Sequence, residues 1–248
     1  MISDEIREQH QKLKNAPLRK KLSYFFHYYF LWTVLIIAVA VFIILLAKAF
    51  LQRKTNAFSA VFLNSETNDA NQGDTLKETL DKSWELSSRE AIDLDFTSTL
   101  TPGGSQDETD MGTITKLAAA VREKSLDAMV CDAWNFNHLA GQSMFSDLRK
   151  HLSEEELSHL QGRIYYIDGA ALDQASDKKE AKTSESREDF KLPDPTSMKD
   201  PIPVGVILSD STYFKDNSLY QKTVPIFGFT NTGKHGDRAK DLLAILLK

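Results

Sequence analysis

Cysteine is almost missing from this 248-residue chain: Cys131 stands alone. No intrachain disulfide can therefore hold the fold, and stability has to come from a packed core. Asn-x-Ser/Thr acceptors are absent, which leaves N-glycosylation without a site and suits a bacterial surface. Also absent are HExxH, CxxC, a Gly-rich phosphate loop and Gly-x-Ser-x-Gly. His138, His151, His159 and His235 are scattered, with no partner at metal-ligand spacing. No enzyme is expected, and no cofactor or metal. Cys131 lies in an apolar run and reads as a small buried hydrophobe rather than a nucleophile. Neither an internal repeat nor a heptad array is present.

Charge is missing from one long stretch. Leu22 to Ala47 holds no charged side chain and is bounded by Arg19, Lys20 and Lys21 on one side and Lys48 on the other. At about 1.5 Å per residue such a helix crosses the roughly 30 Å hydrocarbon core of a bilayer. Residues 22–47 are expected to be a membrane span, residues 1–21 a cytoplasmic tail and residues 48–56 a juxtamembrane linker. The basic cluster before the span favours an N-terminus in the cytoplasm and a C-terminal domain outside the cell membrane. Tyr24, Phe25, Phe26, Tyr28, Tyr29, Phe30 and Trp32 crowd the cytoplasmic end, as an interfacial aromatic belt does, and His27 reads as a bystander within it. Ala47-Lys48-Ala49 loosely imitates a cleavage site, but the apolar run is too long for a signal peptide, so a retained signal-anchor is expected.

Nine of the 30 basic residues and three of the 35 acids precede Thr55, so residues 55–248 carry 21 against 32, about −11. An acidic domain of this kind argues against nucleic acid and offers no long-range attraction to anionic lipid. At about 190 residues it is long enough for one substantial core.

Residues 57–248 alternate strand-like and helix-like patterns. Ala57–Leu63, Ala91–Phe96, Leu126–Cys131, Arg163–Asp168, Val204–Leu208 and Val224–Thr230 read as strands. Leu76, Leu80 and Trp84 give a helix to about Ser87, with Asp74 as its expected N-cap. Ile114, Leu117, Ala118 and Val121 read as the core face of a second helix, ending near Lys124. Asn135–Gly141 is a helical turn. Ser153 and Glu156 form a capping box between staple residues Leu152 and Leu157, predicting a helix over 154–160 stopped at Gly162. A last helix starts at Asp237, with Ala239, Leu242, Leu243 and Leu246 on one face. Residues 173–200, rich in charge and proline, read as a mobile polar loop. The order strand, helix, strand, helix, strand implies βαβ units and a mostly parallel sheet in an α/β fold.

Ligands of open α/β sheets bind beyond the carboxyl ends of the strands. Those ends carry Asn64, Ser65 and Glu66; Thr97, Ser98 and Thr99; Asp132, Trp134 and Asn135; and Asp210, Ser211 and Thr212. This set is the candidate ligand site, with Trp134 to stack on a flat ligand and Asp132 and Asn135 to hydrogen-bond it. The competing reading is that such loop residues cap helices and turns.

The segment KLAAAVREKSLDAMVCDAWNFNHLAGQSMFSDLRKHL, Lys116 to Leu152, resembles the first lobe of the extracellular solute-binding proteins of bacterial ABC importers, through Asp127, Asp132, Phe136, Leu139, Ala140, Phe145, Asp147 and Leu148. The strand RIYYID looks like the one that leads towards that family's second lobe. The chain has no room for a full second lobe and no lipid-anchor cysteine. The resemblance therefore implies a reduced, membrane-tethered binding module, sensing or accessory to transport, with a small-molecule ligand or another membrane protein as partner. The alternative is a structural or interaction protein of the cell envelope without a small-molecule ligand.

Overall fold

The computed structural model describes residues 30–51, 54–67, 69, 71–102, 107–172, 187 and 189–248. It separates into two compact units, one up to Arg53 and one from Lys54 to Lys248. The first contains helix α1, Phe30–Leu51. Its stretch Phe30–Lys48 has a mean hydropathy of 3.1, and by length and composition it can cross a membrane. Residues 1–29, with the tail expected in the cytoplasm, His27 and most of the expected aromatic belt, lie outside the described residues. The helix continues past Ala47 to Leu51 and β1 begins at Thr55, so the joining segment is shorter than the 48–56 linker expected from sequence.

The second unit is an α/β domain built on six strands: β1 Thr55–Phe62, β2 Glu90–Asp95, β3 Ala128–Asp132, β4 Ile164–Asp168, β5 Pro201–Ile207 and β6 Pro225–Phe229. Their spatial order is β2-β1-β3-β6-β5-β4. The helices are α2 Asp74–Trp84, α3 Glu108–Glu123, α4 Ala133–Gly141, α5 Glu154–His159, α6 Gly169–Leu172, α7 Thr212–Asp216 and α8 Gly236–Leu246.

Every strand and helix read from the pattern is present, within a few residues at its ends. The direction of the sheet corrects the expectation of mostly parallel pairing. β1 pairs in parallel with β2 and β3, whereas β3–β6, β6–β5 and β5–β4 are antiparallel. The sheet is mixed because the βαβ pattern ends at β3. Among the described residues, the later strands are joined by turns, loops and short helical pieces rather than by a long helix crossing the sheet.

Alternate side chains of the sheet feed two cores. Phe58, Ala60, Phe62, Ala128, Val130, Phe227 and Phe229 point to one face, where Leu76 and Leu80 of α2 and Leu242, Leu243 and Leu246 of α8 pack on them. Val61, Met129, Cys131 and Ile226 point to the other, under Leu117 of α3 and Phe136, Leu139 and Ala140 of α4. In β5 the parity breaks. Tyr165 pairs with Gly205 but Tyr166 pairs with Pro203, so Val204 is an extra residue, and Val204 and Val206 serve opposite cores.

Asp74 is the first residue of α2 rather than its cap; Gly73 precedes it without a side-chain bond. The space that a side chain at position 73 would need is filled by Phe96, 2.7 Å from where a Cβ would stand. The capping box of α5 forms as read, and Gly162 stops the element at φ +82. Helix α3 is rotated from its expected setting. Asp110, Thr113 and Leu117 face inward, while Ile114 and Ala118 are exposed and Val121 is half-buried. A polar anchor decides the rotation: the Asp110 carboxylate accepts from Thr101 N at 2.9 Å, tying the inner face to the segment after β2.

Candidate functional site

The strand directions place the ends of β1, β2, β3 and β5 along one edge of the sheet, since β5 runs antiparallel to β6, which runs antiparallel to β3. The four groups of polar residues therefore share an edge. Within it, adjacent strands β1 and β3 lead to helices on opposite faces, α2 in one core and α4 in the other. This is the topological switch point, where an open α/β sheet parts to make a crevice.

Asn64, with a left-handed φ of 56, sits at the β1 side of that point. Its Nδ2 donates to Asp132 Oδ2 at 2.8 Å and to Leu100 O at 2.8 Å, and its Oδ1 accepts from Leu100 N at 2.8 Å. On the β3 side, Asn135 Nδ2 donates to the same Asp132 Oδ2 at 2.8 Å and to Leu100 O at 3.0 Å. Asp132 Oδ1 accepts from Asn135 N at 3.1 Å and so caps α4. Asp132 and Asn135 are buried, and Asn135 Oδ1 has no hydrogen-bond partner among the described residues. The residues expected to bind a ligand thus hold each other and the backbone of Leu100.

The other groups at this edge follow the same logic. Ser65 Oγ donates to Phe96 O at 2.6 Å, and Glu66 Oε1 accepts from Lys222 N at 2.9 Å. Thr97 and Ser98 donate to the Asp95 carboxylate, which also takes the Lys116 ammonium at 2.7 Å. Burial of Asp95 opposes its charge, but these donors, Lys116 foremost, outweigh it and hold the carboxyl down at about 2. Ser211 caps α7 through Phe214 N at 3.4 Å, and Thr212 opens that helix. Asp210 is exposed and pairs with Arg163 at 3.2 Å, away from the Asn64–Asp132 pair in its contacts. Trp134 is half-buried, its ring stacked on His138 at 5.4 Å between centroids, and Thr97 and Thr99 are exposed beside the closed network.

The residues that carry the family resemblance have local duties. Asp147 caps the 3-10 turn Leu148–Lys150 and binds Arg149, while Phe136, Leu139, Ala140, Phe145 and Leu148 are core. Asp127 is the largest finding that sequence reading missed. Buried at the opposite edge of the sheet, its carboxylate accepts from Ser59 N at 3.0 Å, Lys234 N at 2.8 Å, His235 N at 3.0 Å and pairs with His235 Nδ1 at 3.0 Å. It ties β1, β3 and the start of α8 together. Its partner lies 108 residues away, and no local pattern announces such a pair.

Two open depressions lie elsewhere. One of about 340 Å³ runs along edge strand β2 and α2, lined by Lys54, Lys77, Glu78, Asp81 and Glu90; another of about 330 Å³ lies between Leu157, Tyr166, Pro201 and Pro203. Neither is lined by a strand-end residue of the candidate site. Among the described residues no group of His, Cys, Asp and Glu is arranged to hold a metal ion.

Fold and site together define a class: a mixed-sheet, three-layer α/β domain preceded by one apolar helix of membrane-spanning length. No protein-family model matches the chain, and no curated protein matches it in sequence.

Proposed function

We propose that the protein is a single-pass, membrane-anchored binding module of solute-binding-protein type, non-enzymatic, with its N-terminus in the cytoplasm and its α/β domain outside a bacterial cell membrane, sensing a solute or serving as an accessory to transport. The observation that supports this is the gathering of Asn64, Asp132, Trp134 and Asn135 at the β1/β3 switch point. The surface for recognition is the Trp134 ring with Thr97 and Thr99, while Asp132 and Asn135 fix the loop beneath it. Binding to the folded state alone stabilises it by about 2.7 kcal/mol at a hundred times the dissociation constant. The test is thermal unfolding of the full chain in detergent across sugars, amino acids, peptides and metal ions. A shift that Trp134→Ala removes supports the reading; a flat panel on a cooperatively unfolding protein ends it.

A second reading, an envelope interaction protein with no small-molecule ligand, is favoured by a different observation. The Asn64 side chain and Asn135 Nδ2 are engaged by the chain's own Leu100 backbone and Asp132 by the two asparagines, which leaves mainly a surface to offer. A flat panel combined with a stoichiometric membrane-protein partner retained through purification supports this reading over the first.

A further inference from the structure

Among the described residues of the α/β domain, three large apolar side chains are exposed: Met111 at 55%, Ile114 at 44% and Leu192 at 40%. Two of the three lie on α3, and the spacing continues through exposed Ala118 to half-buried Val121. Positions 111, 114, 118 and 121 follow the 3-4-3 interval of a coiled-coil seam. Ile114, Ala118 and Val121 are three of the four residues that sequence alone assigns to the core; the fourth, Leu117, is buried as expected. The Asp110 anchor and buried Leu117 turn the stripe outward instead.

We propose that this stripe is a self-association surface, and that its occupant is α3 of a second copy of the chain, packed antiparallel about a two-fold axis. Charge along the helix favours this occupant. The exposed flank of the stripe carries Glu108 in the first turn and Arg122 in the last, and neither is engaged by another side chain among the described residues. Antiparallel packing sets Glu108 of each copy beside Arg122 of the other, twice by symmetry, with Thr115 of both copies at the axis between them. The same register lays Met111 against Val121 and Ile114 against Ala118, long opposite short, as an interdigitated seam requires. A parallel arrangement would set like charge against like. One 16-residue helix per copy is a small interface. Confinement of both copies to one membrane raises their effective concentration, which suits a small contact. The inference does not depend on whether the switch point takes a solute.

The test uses the full chain in membranes, with Thr115→Cys as the probe and Lys77→Cys on exposed α2 as the comparison. Mild oxidation is expected to give a disulfide-linked dimer of the chain from Thr115→Cys and little from Lys77→Cys. Buried Cys131, its thiol pushed up by burial, remains a spectator. In detergent, sedimentation of Glu108→Arg and of Arg122→Glu is expected to show a dimer weakened by roughly fivefold, with affinity restored in the double variant. Ile114→Glu, at an exposed position, is expected to abolish the dimer without shifting the unfolding temperature. Equal cross-linking at positions 115 and 77, no rescue in the double variant, or a cross-link from position 115 to another protein each overturns the proposal.

Discussion

Asp95 is 8% exposed, yet it is charged in the folded domain, because Lys116, Ser98 and Thr97 outweigh the cost of burial. Its folded value is about 2 against an ordinary 3.8. A depressed carboxyl contributes stability that is complete above the unfolded value and disappears as pH falls through the folded one. The window is therefore from about pH 4 down to about pH 2, and the contribution is of the order of 1–2 kcal/mol. Urea unfolding across that window is expected to show a steeper loss for the native protein than for Asp95→Asn. The variant should also be less stable at pH 7 by about 1–3 kcal/mol. Tyr220 offers a second test. Fully buried, with a left-handed φ of 51, its hydroxyl lies 3.0 Å from Leu63 O and 3.1 Å from Val130 O, bracing the ends of β1 and β3. Tyr220→Phe keeps the ring and strands those contacts, so the midpoint of denaturation should fall by an amount equivalent to about 1–2 kcal/mol.

Elements meet tightly where β5 and β6 pass under α4. Phe136 and Phe145 stack at 4.1 Å with planes 9° apart, and they occupy the volume left by Gly205 and Gly228. A Cβ on Gly228 would stand 2.5 Å from the Phe145 ring, and one on Gly205 would stand 2.5 Å from Phe136. Gly228→Ala is expected to destabilise by about 1–3 kcal/mol through overpacking and to disturb the near-ultraviolet aromatic signal. At α5 the Ser153 cap and the Glu156–Lys240 pair at 2.7 Å join the helix to its own N-terminus and to α8; Ser153→Ala should cost about 1 kcal/mol in a chemical unfolding curve. These elements also show what the sequence disclosed. The strands, the α5 capping box and the apolar face of α8 are local signals, carried by residues within a turn or two of each other, and they are present as read. Sheet direction after β3 is not local, because nothing near Val204 or Val224 encodes which neighbour it will meet. The rotation of α3 is equally hidden, since it depends on Asp110 reaching Thr101. At the candidate site the residue types were legible and their sharing of one edge followed from topology. The engagement of Asn64 and Asn135 by Leu100 did not, because backbone donors and acceptors carry no sequence signature.

For the molecule as a whole, the apolar helix and the acidic domain predict a protein that stays with the membrane fraction in alkaline carbonate. Protease added to intact cells is expected to digest residues 54–248, whereas a chain oriented the other way would be protected until the cells are opened. The junction between the two units has a mechanical meaning. Residues 52–54 alone separate Leu51, the end of α1, from Thr55, where β1 begins. That strand is not at an edge; it is hydrogen-bonded in parallel to β2 on one side and β3 on the other. A pull applied at Thr55 and resisted at the far strand ends runs along β1, across the direction of its ladder bonds. Those bonds share the load and must yield together, as in a lap joint, rather than open one after another like a zip. A pull that enters the domain at its first strand thus loads the sheet in shear, the geometry in which a sheet best withstands it.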